Sequence, residues 1–131
     1  MSTAAMNLPK PGTPVAFLYV SDRERALGFY RETLGLELRS SDEFGDFIDL
    51  GGALLRMTVM PDHKALPHPV LGWNVADIGA AVEELRSRGI AFTIFEGFDQ
   101  DALGIWTAPD GRTKVAFFAD PEGNVLSLSQ T

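Results

Sequence analysis

The chain has 131 residues and a formal charge of -7, and its 45% hydrophobic and 22% charged content is that of one compact globular domain. It has no cysteine, which removes disulfides, thiolate metal sites and cysteine nucleophiles, and suits a reducing, cytoplasmic setting. No stretch nears the roughly 18 uninterrupted apolar residues of a membrane span, and the negative charge opposes nucleic-acid phosphates, so neither membrane nor nucleic acid is expected as a partner.

Residues 1–13, MSTAAMNLPKPGT, lack the basic start and apolar core of a signal peptide and, with Pro9, Pro11 and Gly12, read as a flexible leader. Two segments then rhyme, residues 15–38 and residues 70–93. A slide of 55 places sets Val15 on Val70, Val20 on Val75, Asp22 on Asp77, Leu27 on Val82 and Tyr30 on Leu85. Each begins with an apolar run rich in strand formers. Asp22 and Asp77 then stand where an N-cap oxygen can take the free amides of a first helical turn. Apolar residues at helical spacing predict helices over 23–34 and 78–88: Ala26, Leu27, Tyr30 and Leu34, then Ile78, Ala81, Val82 and Leu85. Gly35 and Gly89 suit the left-handed position that stops each helix, and strands are predicted over 36–40 and 90–95.

A hairpin closes each copy. EFGDFIDL meets ALLRMTVM across Gly51-Gly52, and RTKVAFFA meets NVLSLSQ across DPEG. The chain is therefore expected to be α+β: two tandem βαβββ modules, residues 14–60 and 70–131, joined by the linker 61–69. Together they would form a curved mixed sheet around a cleft, with the helices on the outer face.

The pattern V-S-D-x-x-x-A-x-x-F-Y-x-x-x-L-G-L near the start and F-F-x-D-P-x-G-N-x-L-x-L at the end resembles the vicinal oxygen chelate superfamily. That superfamily includes glyoxalases, extradiol dioxygenases, fosfomycin-resistance enzymes and bleomycin-resistance proteins, and the resemblance spans residues 14–131. It implies four cleft-facing metal positions, two opening the first strand of each module and two on the last strand of each. Carried onto this chain they fall on Val15, Val70, Ser127 and, by matching Gly51-Gly52 to Gly123-Asn124, Leu55. None offers the imidazole, carboxylate or thiolate that a divalent ion wants, so no metal and no other cofactor is expected.

Little other chemistry is available. Both histidines, His63 and His68, lie on the linker and read as solvated. No nucleophile elbow or phosphate loop is present. If Val15 and Val70 face the cleft, alternation brings Phe17, Tyr19 and Asn74 with them, and Leu55, Met57, Ser127 and Ser129 from the closing strands. Trp106 and the loop residues Phe44 and Phe47 are candidate rims; Arg56 is expected to point away. Asp46, Asp49, Glu96, Asp99 and Asp101 are the acids nearest these loops; they read as solvated surface charge, the alternative being that they favour a cationic guest.

The function expected is binding: a homodimeric protein without the metal chelate that holds a small aromatic or cationic molecule in an apolar cleft, in sequestration or antibiotic resistance. The alternatives are a glyoxalase-like lyase, isomerase or dioxygenase using a metal bound in a non-standard way, and a purely structural interaction module.

Overall fold

The computed structural model describes residues 12–131. Nearly all of the expected leader, residues 1–11, lies outside them. Strand β1 (Val15–Val20) leads into α1 (Arg23–Leu27), then β2 (Glu37–Asp42), β3 (Gly45–Asp49) and β4 (Leu54–Val59). The second copy runs β5 (Pro69–Asn74), α2 (Ile78–Ser87), β6 (Trp106–Thr107), β7 (Lys114–Ala119) and β8 (Val125–Gln130). The two four-stranded mixed sheets have matching orders, β1-β4-β3-β2 and β5-β8-β7-β6. In each, the strand before the helix runs parallel to the last strand, and the other pairs are antiparallel.

The caps act as their residue types dictate. Asp22 accepts from the Arg25 amide at 3.1 Å and Asp77 from the Ala80 amide at 3.0 Å. Gly35 and Gly89, at φ of 76° and 93°, end the helical segments in the region that costs a side chain most.

Two elements differ from expectation. The first helix is α-helical only to Leu27, and Gly28–Thr33 continues as a π-helical turn. Residues 90–95 form no strand, although Thr93 donates one bond to the Phe117 carbonyl at 2.8 Å. Instead the Gln100 side chain takes the Phe95 amide and the carbonyls of Thr93 and Gly104 at 2.7–2.9 Å. Those groups are then unavailable to a ladder, and the short β6 occupies the sheet edge.

The core is one cluster drawn from both modules. Leu18, Val20, Ile48, Leu55 and Met57 of the first sheet join Ala116, Phe118, Leu126 and Leu128 of the second, with Ala26, Tyr30, Ile78 and Val82 from the helical segments. The helices thus cover one face of each sheet and leave the other open.

The turn DPEGN, residues 120–124, fastens the halves together. Asp120 is buried, accepts from the Tyr30 hydroxyl at 2.7 Å, and is held by the backbone amides of Glu122 and Asn124, each at 2.9 Å. The Asn124 amide group donates to Asp120 and to the Tyr19 carbonyl, while its oxygen meets His63 Nε2 at 2.9 Å. His63 is therefore anchored, unlike the solvated linker histidine expected; His68 is exposed. The Glu122 carboxylate accepts from the Ser21 hydroxyl at 2.8 Å and the Asp22 amide at 2.9 Å, with Arg25 at 3.4 Å. Burial pushes the Glu122 carboxyl up, but these donors outweigh it and bring it down to about 2. Burial, followed by the adjoining Asp120 charge, pushes the Tyr30 hydroxyl well above its ordinary value.

Candidate functional site

Neighbours across a ladder share a face of the sheet, so the register assigns each side chain. On the first sheet Phe17 lies opposite Arg56, and Arg56 opposite Phe47, with Tyr19 opposite Thr58. These side chains, with Val15 and Leu54, stand on the open face. Phe17 is 64% exposed, and Val15 and Tyr19 are exposed as well. Leu55 pairs with Ala16 and Ile48, and Met57 with Leu18. Both face the core, 1% and 0% exposed, which removes them from the open face where the sequence had set them.

The cause is a shift of one residue. Phe17 pairs with Arg56 as Gly72 pairs with Ser127. Phe17 and Gly72 are equivalent in the repeat, so Arg56, not Leu55, is the counterpart of Ser127. The glycine that answers Gly123 is then Gly52, and a slip of one place turns every side chain of a strand over.

The four metal positions implied by the resemblance, in the register of the two sheets, therefore read Val15, Arg56, Val70 and Ser127. This set does not fit a metal: two are hydrocarbon, one is a hydroxyl, and the last is a permanent cation that would repel the ion. Among the described residues no three histidine, aspartate or glutamate side chains are grouped to hold one. Arg56, expected to point away, is instead central to the first open face. Its guanidinium lies 4.7 Å from the Phe47 ring centroid and donates to Asp42 at 2.9 Å. That bond is the foremost cause holding the Asp42 carboxyl below the usual range, with the Phe44 and Gly45 amides adding to it.

The second open face carries Val70, Gly72 and Asn74 of β5, Ser127 and Ser129 of β8, Phe117 of β7 and Trp106 of β6. Ser127 fits only because residue 72 is glycine: a Cβ there would collide with the Ser127 hydroxyl. Ser129 reaches Asn74 at 3.4 Å. A row of rings extends from this face. Phe117 meets Phe95 edge-on at 5.7 Å, Phe95 meets Phe98 at 6.0 Å, and Phe98 stacks on Trp106 at 5.5 Å with 20° between planes. Phe95, Phe98 and Phe117 escaped notice in the sequence. For Phe117 the signal existed, since alternation along KVAFFA gives it the face opposite to the core residues Ala116 and Phe118.

Phe44 is exposed at the tip between β2 and β3. Three of the acids near the rims are engaged already. Asp46 is buried beside Arg23 at 3.0 Å, Asp49 faces Arg39 at 3.3 Å, and Asp101 takes the amides of Leu103 and Ile105. An apolar crevice of about 270 Å³ lies away from both open faces, on the helix side, lined by Leu34, Leu36, Trp73, Val75, Leu85 and neighbours.

The family model described as Glyoxalase/Bleomycin resistance protein/Dioxygenase superfamily matches residues 13–128. The chain belongs to that superfamily. A comparison with curated proteins gives no match. Among solved structures the chain is similar to a glyoxalase/bleomycin resistance protein/dioxygenase from Alicyclobacillus acidocaldarius, at 20% identity and a TM-score of 0.70, covering 95% of this chain and 94% of that one. It is also similar to TnmS3, an antibiotic binding protein from Streptomyces sp. CB03234, at 24% identity and a TM-score of 0.66, covering 95% and 98%. A lactoylglutathione lyase from Agrobacterium tumefaciens is alike at 22% identity and a TM-score of 0.63, covering 93% and 95%. These likenesses establish the glyoxalase/bleomycin-resistance fold, which hosts both binders and enzymes. No helix among the described residues is long and apolar enough to cross a membrane.

Proposed function

We propose that the protein binds and sequesters a small flat molecule, without transforming it, on the open sheet faces of a cytoplasmic homodimer. The observation that carries this is the exchange of donors for rings: Val15, Arg56, Val70 and Ser127 occupy the metal positions, while aromatic side chains fill the same faces. Phe17, Tyr19 and Phe47 supply flat apolar surface on the first sheet, with Phe44 at its rim; Phe95, Phe98, Trp106 and Phe117 supply it on the second. Asn74, Ser127 and Ser129 are the neutral polar groups available to orient a guest, an arrangement typical of small-molecule sites. An aromatic guest is favoured over a cationic one, because Asp46, Asp49 and Asp101 already have partners and Asp42 is paired with Arg56.

A second copy is the natural cover for this surface. Val15, Phe17, Tyr19, Val70 and Phe95 are all exposed, and apolar side chains gathered on open sheet faces are what an interface covers. A lyase or dioxygenase built on a metal is the weaker reading, since the donors it requires are missing from the four positions.

Titration of a panel of flat aromatic drugs, followed by calorimetry and by tryptophan fluorescence, tests the proposal. Saturable binding that is weakened by Trp106→Ala or Phe17→Ala supports it; no binding across the panel refutes it. Light scattering should give twice the chain mass. Stoichiometric nickel, zinc or iron in the purified protein would restore the enzymatic reading.

A further inference from the structure

Arg56 holds an unspent donor. Its side chain is 13% exposed, and Nη2 is fixed to Asp42, which the Phe44 and Gly45 amides lock in turn at 2.9 and 3.0 Å. Nη1 of the same guanidinium is buried and has no hydrogen-bond partner among the described residues. Such a group is costly to leave unpaired, and its presence in a folded protein calls for an acceptor. The strand order puts Arg56 between Phe17 on β1 and Phe47 on β4's other neighbour, β3. Phe47 lies under the guanidinium, whereas Phe17 is largely exposed and free to turn aside on the timescale of a surface rotamer.

We propose that Arg56 Nη1 donates to a carbonyl oxygen carried by a flat, uncharged ring system, with that ring lying along Phe17 on the first open face. The inference rests on the binding function proposed above and names the chemistry of its guest. The acceptor is neutral because Arg56 and Asp42 form a pair with no net charge. A carboxylate would approach Asp42 in a chain of formal charge -7, and a cation would approach the guanidinium. Flatness follows from the three rings of the face, Phe17, Tyr19 and Phe47.

The test uses matched tricyclic probes. Fluorene has the flat skeleton without an acceptor, 9-fluorenone adds one carbonyl, 9-fluorenecarboxylate adds an anion and 9-aminoacridine a cation. The wild-type protein should bind fluorenone roughly tenfold more tightly than fluorene, the value expected for one hydrogen bond to a charged donor, and should prefer it to both charged probes. The infrared carbonyl stretch of bound fluorenone should fall relative to the free probe. In Arg56→Met the preference over fluorene and the infrared shift should both vanish, read as the ratio of fluorenone to fluorene affinity within that variant. Arg56→Lys, whose single ammonium is committed to Asp42, should behave alike and serves should the methionine variant fail to fold; thermal unfolding establishes which variants are native.

An equal affinity of the wild type for fluorenone and fluorene overturns the inference, as does a preference that survives in the folded variants. In either case fluorene still binds, and the broader function stands. If none of the four probes binds, both fall together.

Discussion

Glu122→Gln is the sharpest probe of how the halves are joined. The wild-type carboxylate is 3% exposed and accepts from the Ser21 hydroxyl at 2.8 Å and the Asp22 amide at 2.9 Å, while Arg25 is more distant at 3.4 Å and half exposed. Its carboxyl titrates at about 2 in the fold, against an ordinary 4.5. At ~1.4 kcal/mol for each tenfold change in proton affinity, that gap makes the ionised group worth at most ~3 kcal/mol at pH 7, solvent screening at the edge of the joint reducing it. Because the folded value is the lower one, this stability is complete above pH 4.5 and drains away as pH falls from 4.5 toward 2. Glutamine keeps one acceptor oxygen and loses the charge, so the variant should be ~2–3 kcal/mol less stable at neutral pH. The difference between the two proteins should fall to about half by pH 3, because the wild type is itself becoming neutral. Urea unfolding of both proteins at pH 7, 4.5 and 3 measures it. A gap that is the same at pH 7 and pH 3, or one below ~0.5 kcal/mol throughout, would refute the account of the joint.

Tyr30→Phe removes the 2.7 Å donor to buried Asp120 and should cost ~1–3 kcal/mol, read as a lowered midpoint of thermal unfolding. Since burial raises its folded pKa, Tyr30 should also stay protonated past about pH 10 until the protein unfolds, which absorbance near 295 nm follows; its stabilisation is complete below that pH and declines above it. Leu55→Ala should lose ~2–5 kcal/mol of stability, whereas Phe17→Ala on the opposite face of the ladder should lose well under ~1 kcal/mol and weaken aromatic binding instead. Gly72→Ala should destabilise by ~1–3 kcal/mol through its clash with Ser127, and adding Ser127→Ala should recover part of that loss; additive effects in the double variant would contradict the close approach.

The modular architecture was readable because the signals were redundant. Asp22 and Asp77 at equivalent caps, Gly35 and Gly89 at equivalent stops, and apolar residues at matching spacing all described one unit written twice. Where local chemistry was ambiguous, the sequence failed. Residues 90–95 have strand composition, but Gln100, five residues on, takes the backbone groups that a ladder would need. The site was half legible for a similar reason. Strand alternation placed Phe17, Tyr19, Asn74, Ser127 and Ser129 on the open faces, but the glycine pairs of the two hairpins admit two alignments one residue apart. The wrong one exchanges Leu55 for Arg56, an oily side chain for a guanidinium. Phe95 and Phe98 lie on an irregular loop, where no periodicity announces which way a ring will turn.

The joint at residues 120–124 also settles how the chain would respond to being severed. Tyr30 and Asp120 meet in the buried interior, and the same core takes side chains from both sides of the linker. A protease cut between Met60 and Pro69 would leave two fragments that still complete one another. Neither fragment alone would have a finished interior, so separately produced halves should stay unfolded until mixed and then reconstitute one protein.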